Sequence, residues 1–137
     1  MASAPTFDTG HPAIARIRSY FEAFHHGDSL DYARQWAYPA GLFADGQWTA
    51  VPDAESMARN NDAYARAQRE AGLAGGEILA LTCEEIGPEA AMVRGRFSRL
   101  RADGSRLADV AASYLVVRVT TSAGTPTWKV AVCLMGC

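Results

Sequence analysis

Apolar residues recur at helical spacing early in the chain and at strand-like spacing later. Ala13, Ile14, Ile17, Tyr20, Phe21 and Phe24 fall on one helical stripe, with Arg16, Arg18, Ser19 and Glu22 off it. Pro12 suits the first turn of that helix, where its missing N–H is not needed. Gly27 is placed to end it in a left-handed conformation. Asp28 is placed to cap a second, shorter helix over about Ser29–Ala37, which Tyr38-Pro39-Ala40-Gly41 should stop. GLFADGQWTAV then reads as a hairpin turning at Asp45-Gly46. Asp53 should cap a third helix running to about Glu70, and GLAGG breaks the pattern.

After Gly76 four strand-like stretches follow: EILALTCEEI, AAMVRGRFSRLR, RLADVAASYLVVRV and TWKVAVCLM. Gly87-Pro88, Ala102–Ser105 and Ser122–Pro126 separate them, as in an antiparallel meander. Helices first and strands afterwards predict an α+β fold. The organisation expected is a loose tail over residues 1–10 and one domain over 11–137. Val110–Val119 and Trp128–Met135 are apolar at both parities, whereas a strand with one wet face should alternate. Both sheet faces should therefore be covered, one by the helices and the other by a second subunit, making a homodimer.

Composition narrows the class. With 137 residues, 49% hydrophobic and 20% charged, the chain can bury a core without metal or disulfide staples. A net charge of −2 gives no basic stripe for nucleic acid. Arg94, Arg96, Arg99, Arg101 and Arg106 do cluster, but no aromatics interleave with them, and a solvated sheet edge is the reading taken. No stretch reaches the ~18–20 apolar residues of a membrane helix, and MASAPTFDTG lacks the apolar run of a signal peptide. Cys83, Cys133 and Cys137 make an odd count without CxxC spacing. On one strand Cys133 and Cys137 would lie ~13 Å apart, too far to pair. Reduced thiols in a cytoplasmic protein are expected.

The order of elements resembles the nuclear transport factor 2-like superfamily, in particular its SnoaL-like and ketosteroid-isomerase-like members. YFEAFHHGDSLDYARQWAYPAGLFADG is similar to the family's opening, where an aromatic-rich helix runs into Gly-Asp, a second helix and an early strand. SYLVVRVTTSAGTPTWKVAVCLM is similar to its ending. The resemblance implies a cystatin-like cone: three N-terminal helices packed on a strongly curved, mostly antiparallel sheet, with a pocket at the open end. It implies fold rather than activity, because one fold hosts many functions.

Candidate pocket residues are Tyr20, Trp36, Phe43, Trp48, Met57, Tyr64, Phe97 and Tyr114, each of which could equally be core packing. His25 and His26 point ~100° apart on a helix and lack the i, i+4 spacing of paired ligands, so no metal site is expected. They read as helix-end histidines interacting with the dipole. Tyr20 sits where the resemblance implies a tyrosine donating to a developing oxyanion. Asp45 lies near the place of the relatives' general base, one residue out of step, but Asp45-Gly46 is also an ideal turn. Asp109 and Ser113 share parity on the third long strand, where the isomerases carry a protonated aspartic acid. If Ser113 takes that place, a weaker donor has replaced the acid. Asn61 and Gln68 share the inward stripe of Met57 and Tyr64 and could contact a ligand or nearby backbone.

There is no G-x-S-x-G elbow, phosphate-cradling glycine loop or dinucleotide fingerprint, so no cofactor is implied. Three readings stay open. The first is cofactor-free acid–base catalysis on a small apolar molecule (isomerase, lyase or hydrolase type), with Tyr20 as donor and Asp45 or Asp109 as the carboxylate. The second is binding without turnover. The third is a filled pocket in a domain used for dimerisation or partner docking. A carboxylate facing the cavity is the requirement of the first reading.

Overall fold

His11 opens the first helix by accepting a hydrogen bond from the Ala13 backbone N–H on Nδ1 at 3.0 Å. A computed structural model describes residues 10–136. The expected loose tail falls outside the described residues except for Gly10, as does Cys137. Helix α1 spans Pro12–His26 and α2 spans Ser29–Arg34. Gly27, at φ 77°, separates them, and the Asp28 carboxylate accepts from the Leu30 and Asp31 N–H groups. Strands β1 (Trp36–Ala44) and β2 (Gln47–Val51) form the hairpin, followed by α3 (Ala54–Glu70). The meander is β3 (Gly75–Gly87), β4 (Ala90–Leu100), β5 (Arg106–Thr120) and β6 (Pro126–Met135).

The six strands make one sheet in the order β2-β1-β6-β5-β4-β3, antiparallel except where β1 runs parallel to β6. That parallel pairing corrects the expected second helix. The helix ends at Arg34 instead of Ala37, because Trp36 pairs with Val130 and the Val130 N–H donates to the Gln35 carbonyl at 2.9 Å. Tyr38 and Pro39, expected as a helix stop, lie inside β1 and are joined by a cis peptide bond. The Tyr38 hydroxyl donates to the Ala33 carbonyl at 2.6 Å, tying strand to helix.

The inner face of the sheet packs on α1. Ala13, Ile14, Ile17, Tyr20 and Ala23 are buried against a cluster that includes Ala91, Val93, Val116 and Val130. Burying an isoleucine or valine of this set contributes ~1.5–3 kcal/mol each. Close approach within β4 requires Gly95: a Cβ there would overlap the Phe97 ring and lie 3.2 Å from Leu81 Cδ2. The absent side chain lets Phe97 lie flat along its own strand.

The arginine cluster is not a sheet edge. β4 is flanked on both sides, by β3 and β5, so Arg94, Arg96 and Arg99 stand on an interior strand. Alternation sends Arg99 to the same face as Phe97 and leaves Arg94 and Arg96 exposed on the other. The outer face carries half-buried Met92, Leu115, Val117, Val132 and Leu134. No helix among the described residues is long and apolar enough to cross a membrane.

Candidate functional site

A cavity of about 450 Å³ lies between the helices and the inner face of the sheet. Each wall follows from the element behind it. One stripe of α1 supplies Tyr20, Phe21, Phe24 and His25. Tyr32 comes from α2, and Met57, Asn60, Asn61 and Tyr64 from α3. The sheet adds Leu42 and Phe43 from the hairpin, Phe97 and Arg99 from β4, Val110 and Tyr114 from β5, and Cys133 and Met135 from β6.

Three phenols meet in this lining. The Tyr20 ring centroid lies 5.2 Å from that of Tyr32 and 5.1 Å from that of Tyr114, both within the range of favourable aromatic pairs. The Tyr32 hydroxyl approaches the Tyr20 hydroxyl at 3.5 Å. Burial pushes the Tyr20 and Tyr114 phenols well above their ordinary value and also raises Tyr32. All three are therefore neutral O–H donors at physiological pH. Trp36 packs behind them, its ring 5.8 Å from Tyr20. The Trp36 Nε1–H makes no well-formed hydrogen bond among the described residues, although it is close enough to Tyr32 to favour the ionised phenol slightly.

A second polar group gathers around Arg99. Its guanidinium donates to Gln68 Oε1 at 2.6 Å and to the Tyr64 hydroxyl at 2.5 Å, and sits 5.5 Å from the Tyr64 ring centroid. His25 is held between Phe21 and Phe24, at centroid distances of 4.4 and 5.1 Å. Burial lowers the His25 pKa, and the charges of Arg99 and His26 lower it further. Its imidazole is thus a neutral base or acceptor at pH 7. Asn61 donates from Nδ2 to Ser29 Oγ at 3.0 Å, and Ser29 also bonds Asp62, so α3 is tied to α2.

Several expected site residues are placed here and others are not. Tyr20, Met57, Asn61, Tyr64, Phe97 and Tyr114 line the cavity, and Phe43 borders it from β1 while sharing the strand face of its register partners Trp48 and Leu134. Trp36 is buried behind the lining. Trp48 is 59% exposed and lies over Gly41, where a Cβ would overlap its ring, outside the cavity. Gln68 accepts from Arg99 and is not in the lining. Ser113 is buried, but its parity is opposite to that of Tyr114 and turns it from the cavity.

Both expected carboxylates are corrected. Asp45 is exposed in the hairpin turn at φ 52°, a left-handed conformation that aspartate tolerates in turns. Asp109 shares the parity of Ser113, is exposed, and pairs with Arg106 at 3.3 Å. Among the described residues no Asp or Glu belongs to the cavity lining. Among the described residues no cluster of three or more His, Cys, Asp and Glu is placed to hold a metal ion.

The comparisons with known proteins agree with this architecture. A family model described as NTF2-like protein (DUF6841) matches residues 13–136. The chain belongs to that family. The fold is shared with an NTF2-like protein of unknown function from Shewanella oneidensis MR-1: 16% identity, TM-score 0.67, over 90% of this chain and 95% of that one. An NTF2-like protein with a cystatin-like fold from Novosphingobium aromaticivorans aligns with TM-score 0.69 at 17% identity, over 90% of this chain and 78% of the other. A candidate ketosteroid isomerase from Shewanella frigidimarina NCIMB 400 aligns with TM-score 0.70 at 11% identity, over 93% and 97% of the two chains. At these identities the likeness is one of fold. No curated protein matches the chain.

Among the members of the site that pattern reading missed, the polar ones with a ring or charge are Tyr32, His25 and Arg99. Tyr32 had a signal, since it is the one aromatic among the apolar positions Leu30, Tyr32 and Ala33 of the short α2, and the structure buries it. Arg99 had one too, because it shares parity with Phe97. His25 stood at the margin of the apolar stripe and was assigned to the helix dipole, whereas tertiary packing buries it.

Proposed function

We propose that this NTF2-like protein binds a small apolar molecule in its cone. The observation carrying this reading is the cavity of about 450 Å³, within the usual size range of small-molecule sites, lined mainly by aromatic and aliphatic side chains with a few convergent polar groups. A ligand oxygen placed against Tyr20 and Tyr114 would accept from phenols that burial keeps protonated. Binding is favoured over the carboxylate-based catalysis expected from sequence, because neither Asp45 nor Asp109 faces the cavity. The filled-cone reading is disfavoured by the same open volume.

The test is to extract purified protein with organic solvent and to record native mass spectra. A stoichiometric adduct of a few hundred daltons, lost in Val110→Trp, would support the reading. Bare protein would be followed by a thermal-shift screen of apolar compounds, and no saturable stabiliser in that screen would contradict it.

A second reading, turnover by acid–base chemistry, rests on one distinct observation: His25 lines the cavity with its neutral form favoured. It predicts His25-dependent deuterium exchange at the C–H beside a carbonyl in cyclic ketones, absent in His25→Phe. We further propose that the outer sheet face joins two copies. Half-buried Met92, Leu115, Val132 and Leu134 beside exposed Trp48 form an apolar surface of the kind that marks association sites.

A further inference from the structure

The cavity is electrostatically one-sided. Among the described residues its lining includes the guanidinium of Arg99 and no carboxylate. The groups that Arg99 already holds, the Gln68 amide oxygen and the Tyr64 hydroxyl, are both neutral. A guanidinium has more N–H donors than these two bonds consume. His25, the other basic side chain in the lining, adds no charge: burial first, and then the field of Arg99, disfavour its protonation and favour the neutral imidazole. Asn60 and Asn61 line the cavity from α3 and add no charge.

A partly buried cation without a counter-charge attracts an anion, and a planar guanidinium matches a carboxylate in particular. The remaining lining is apolar apart from Thr49, Ser98 and the buried phenols around Tyr20. We propose that the ligand is an apolar monocarboxylate: its carboxylate pairs with Arg99, its hydrocarbon or aromatic body fills the cavity, and any second oxygen meets the phenols of Tyr20 and Tyr114. This rests on the reading of the cavity as a ligand site and adds the chemical class of the ligand. The same geometry disfavours cationic ligands, which would meet Arg99 with no carboxylate among the described lining residues to neutralise them.

The experiment separates the two claims. N-phenyl-1-naphthylamine, a neutral fluorophore, is bound to the wild-type protein and displaced by 2-naphthoate or by its uncharged isostere 2-naphthamide. The expected result is that naphthoate binds roughly tenfold to a hundredfold tighter than the amide. Arg99→Met, which keeps an apolar stem, should erase that preference while still binding the fluorophore and the amide, which shows that the variant is folded. Equal affinity of acid and amide in the wild type overturns the anion assignment and leaves the cavity reading standing. A preference that survives in a folded Arg99→Met overturns the role of Arg99. No binding of the fluorophore, the acid or the amide to the wild type overturns the cavity reading and this proposal with it. Should Arg99→Met fail to fold, Arg99→Gln in the same titration decides, with the same two outcomes.

Discussion

At the scale of residues, the tyrosine cluster has a measurable signature in pH. The phenols of Tyr20, Tyr32 and Tyr114 are raised in the folded protein above the ordinary value of 10.0. Above that pH the unfolded chain loses these protons while the folded one keeps them. Unfolding then releases protons, and stability falls as pH rises, by on the order of 1.4 kcal/mol per pH unit for each phenol. Urea unfolding should show a steep loss between pH 10 and the folded values, shallower in Tyr114→Phe. An equal slope in the variant would count against a buried neutral phenol at that position. For His25 the sign is reversed: burial and then Arg99 lower its folded pKa, so its contribution is present above its ordinary value of 6.5 and is lost on acidification. Its proton NMR titration should have a midpoint below that value and move upward in Arg99→Met.

Stripe position together with the family resemblance made Tyr20 legible, because an amphipathic tyrosine at the edge of an apolar stripe buries its ring while its hydroxyl seeks a partner. The same reading misled at Asp45 and Asp109. Family layout suggested a base near Asp45, but Asp45-Gly46 is a strong turn pair, and local turn preference won. For Asp109 the shared parity with Ser113 was right. Which face that parity addresses depends on how the sheet curls around α1, and alternation by itself cannot say.

At the scale of elements, two positions carry separable costs. Gly95→Ala would force the Phe97 ring off β4 into the cavity, with Leu81 blocking the alternative. A loss of about 1–3 kcal/mol is expected, as for other overpacked core sites. A melting temperature within a degree of wild type would show that the ring can yield. Asp53 caps α3 by accepting from the Ser56 N–H at 2.8 Å. Asp53→Ala should lower the urea midpoint measurably, and Asp53→Asn much less. The meander and the helix caps could be read from local pattern because turns and caps are local chemistry. The end of α2 could not. Its helical periodicity runs on through Trp36, and what stops it is a parallel partner, Val130, from the far end of the chain.

At the scale of the molecule, the curled sheet presents two apolar faces with different roles. The inner one, with Tyr114, Val116 and Val130, packs on α1 and bounds the cavity. The outer one is proposed to join two copies. Sedimentation velocity at micromolar concentration should give a dimer, and Leu134→Lys combined with Val132→Lys should give a monomer that still binds ligand. A wild-type monomer would remove this interface from the account.

The central claim is that the cone holds a small apolar molecule. The most direct measurement is titration with the neutral fluorophore N-phenyl-1-naphthylamine, in wild type and in Val110→Trp, where an indole would enter the cavity from β5. The account predicts saturable binding at one site per chain in the wild type. It predicts loss of that site in Val110→Trp, with the melting temperature preserved. Absence of saturable binding to the wild type, or unchanged binding to a folded Val110→Trp, would contradict it.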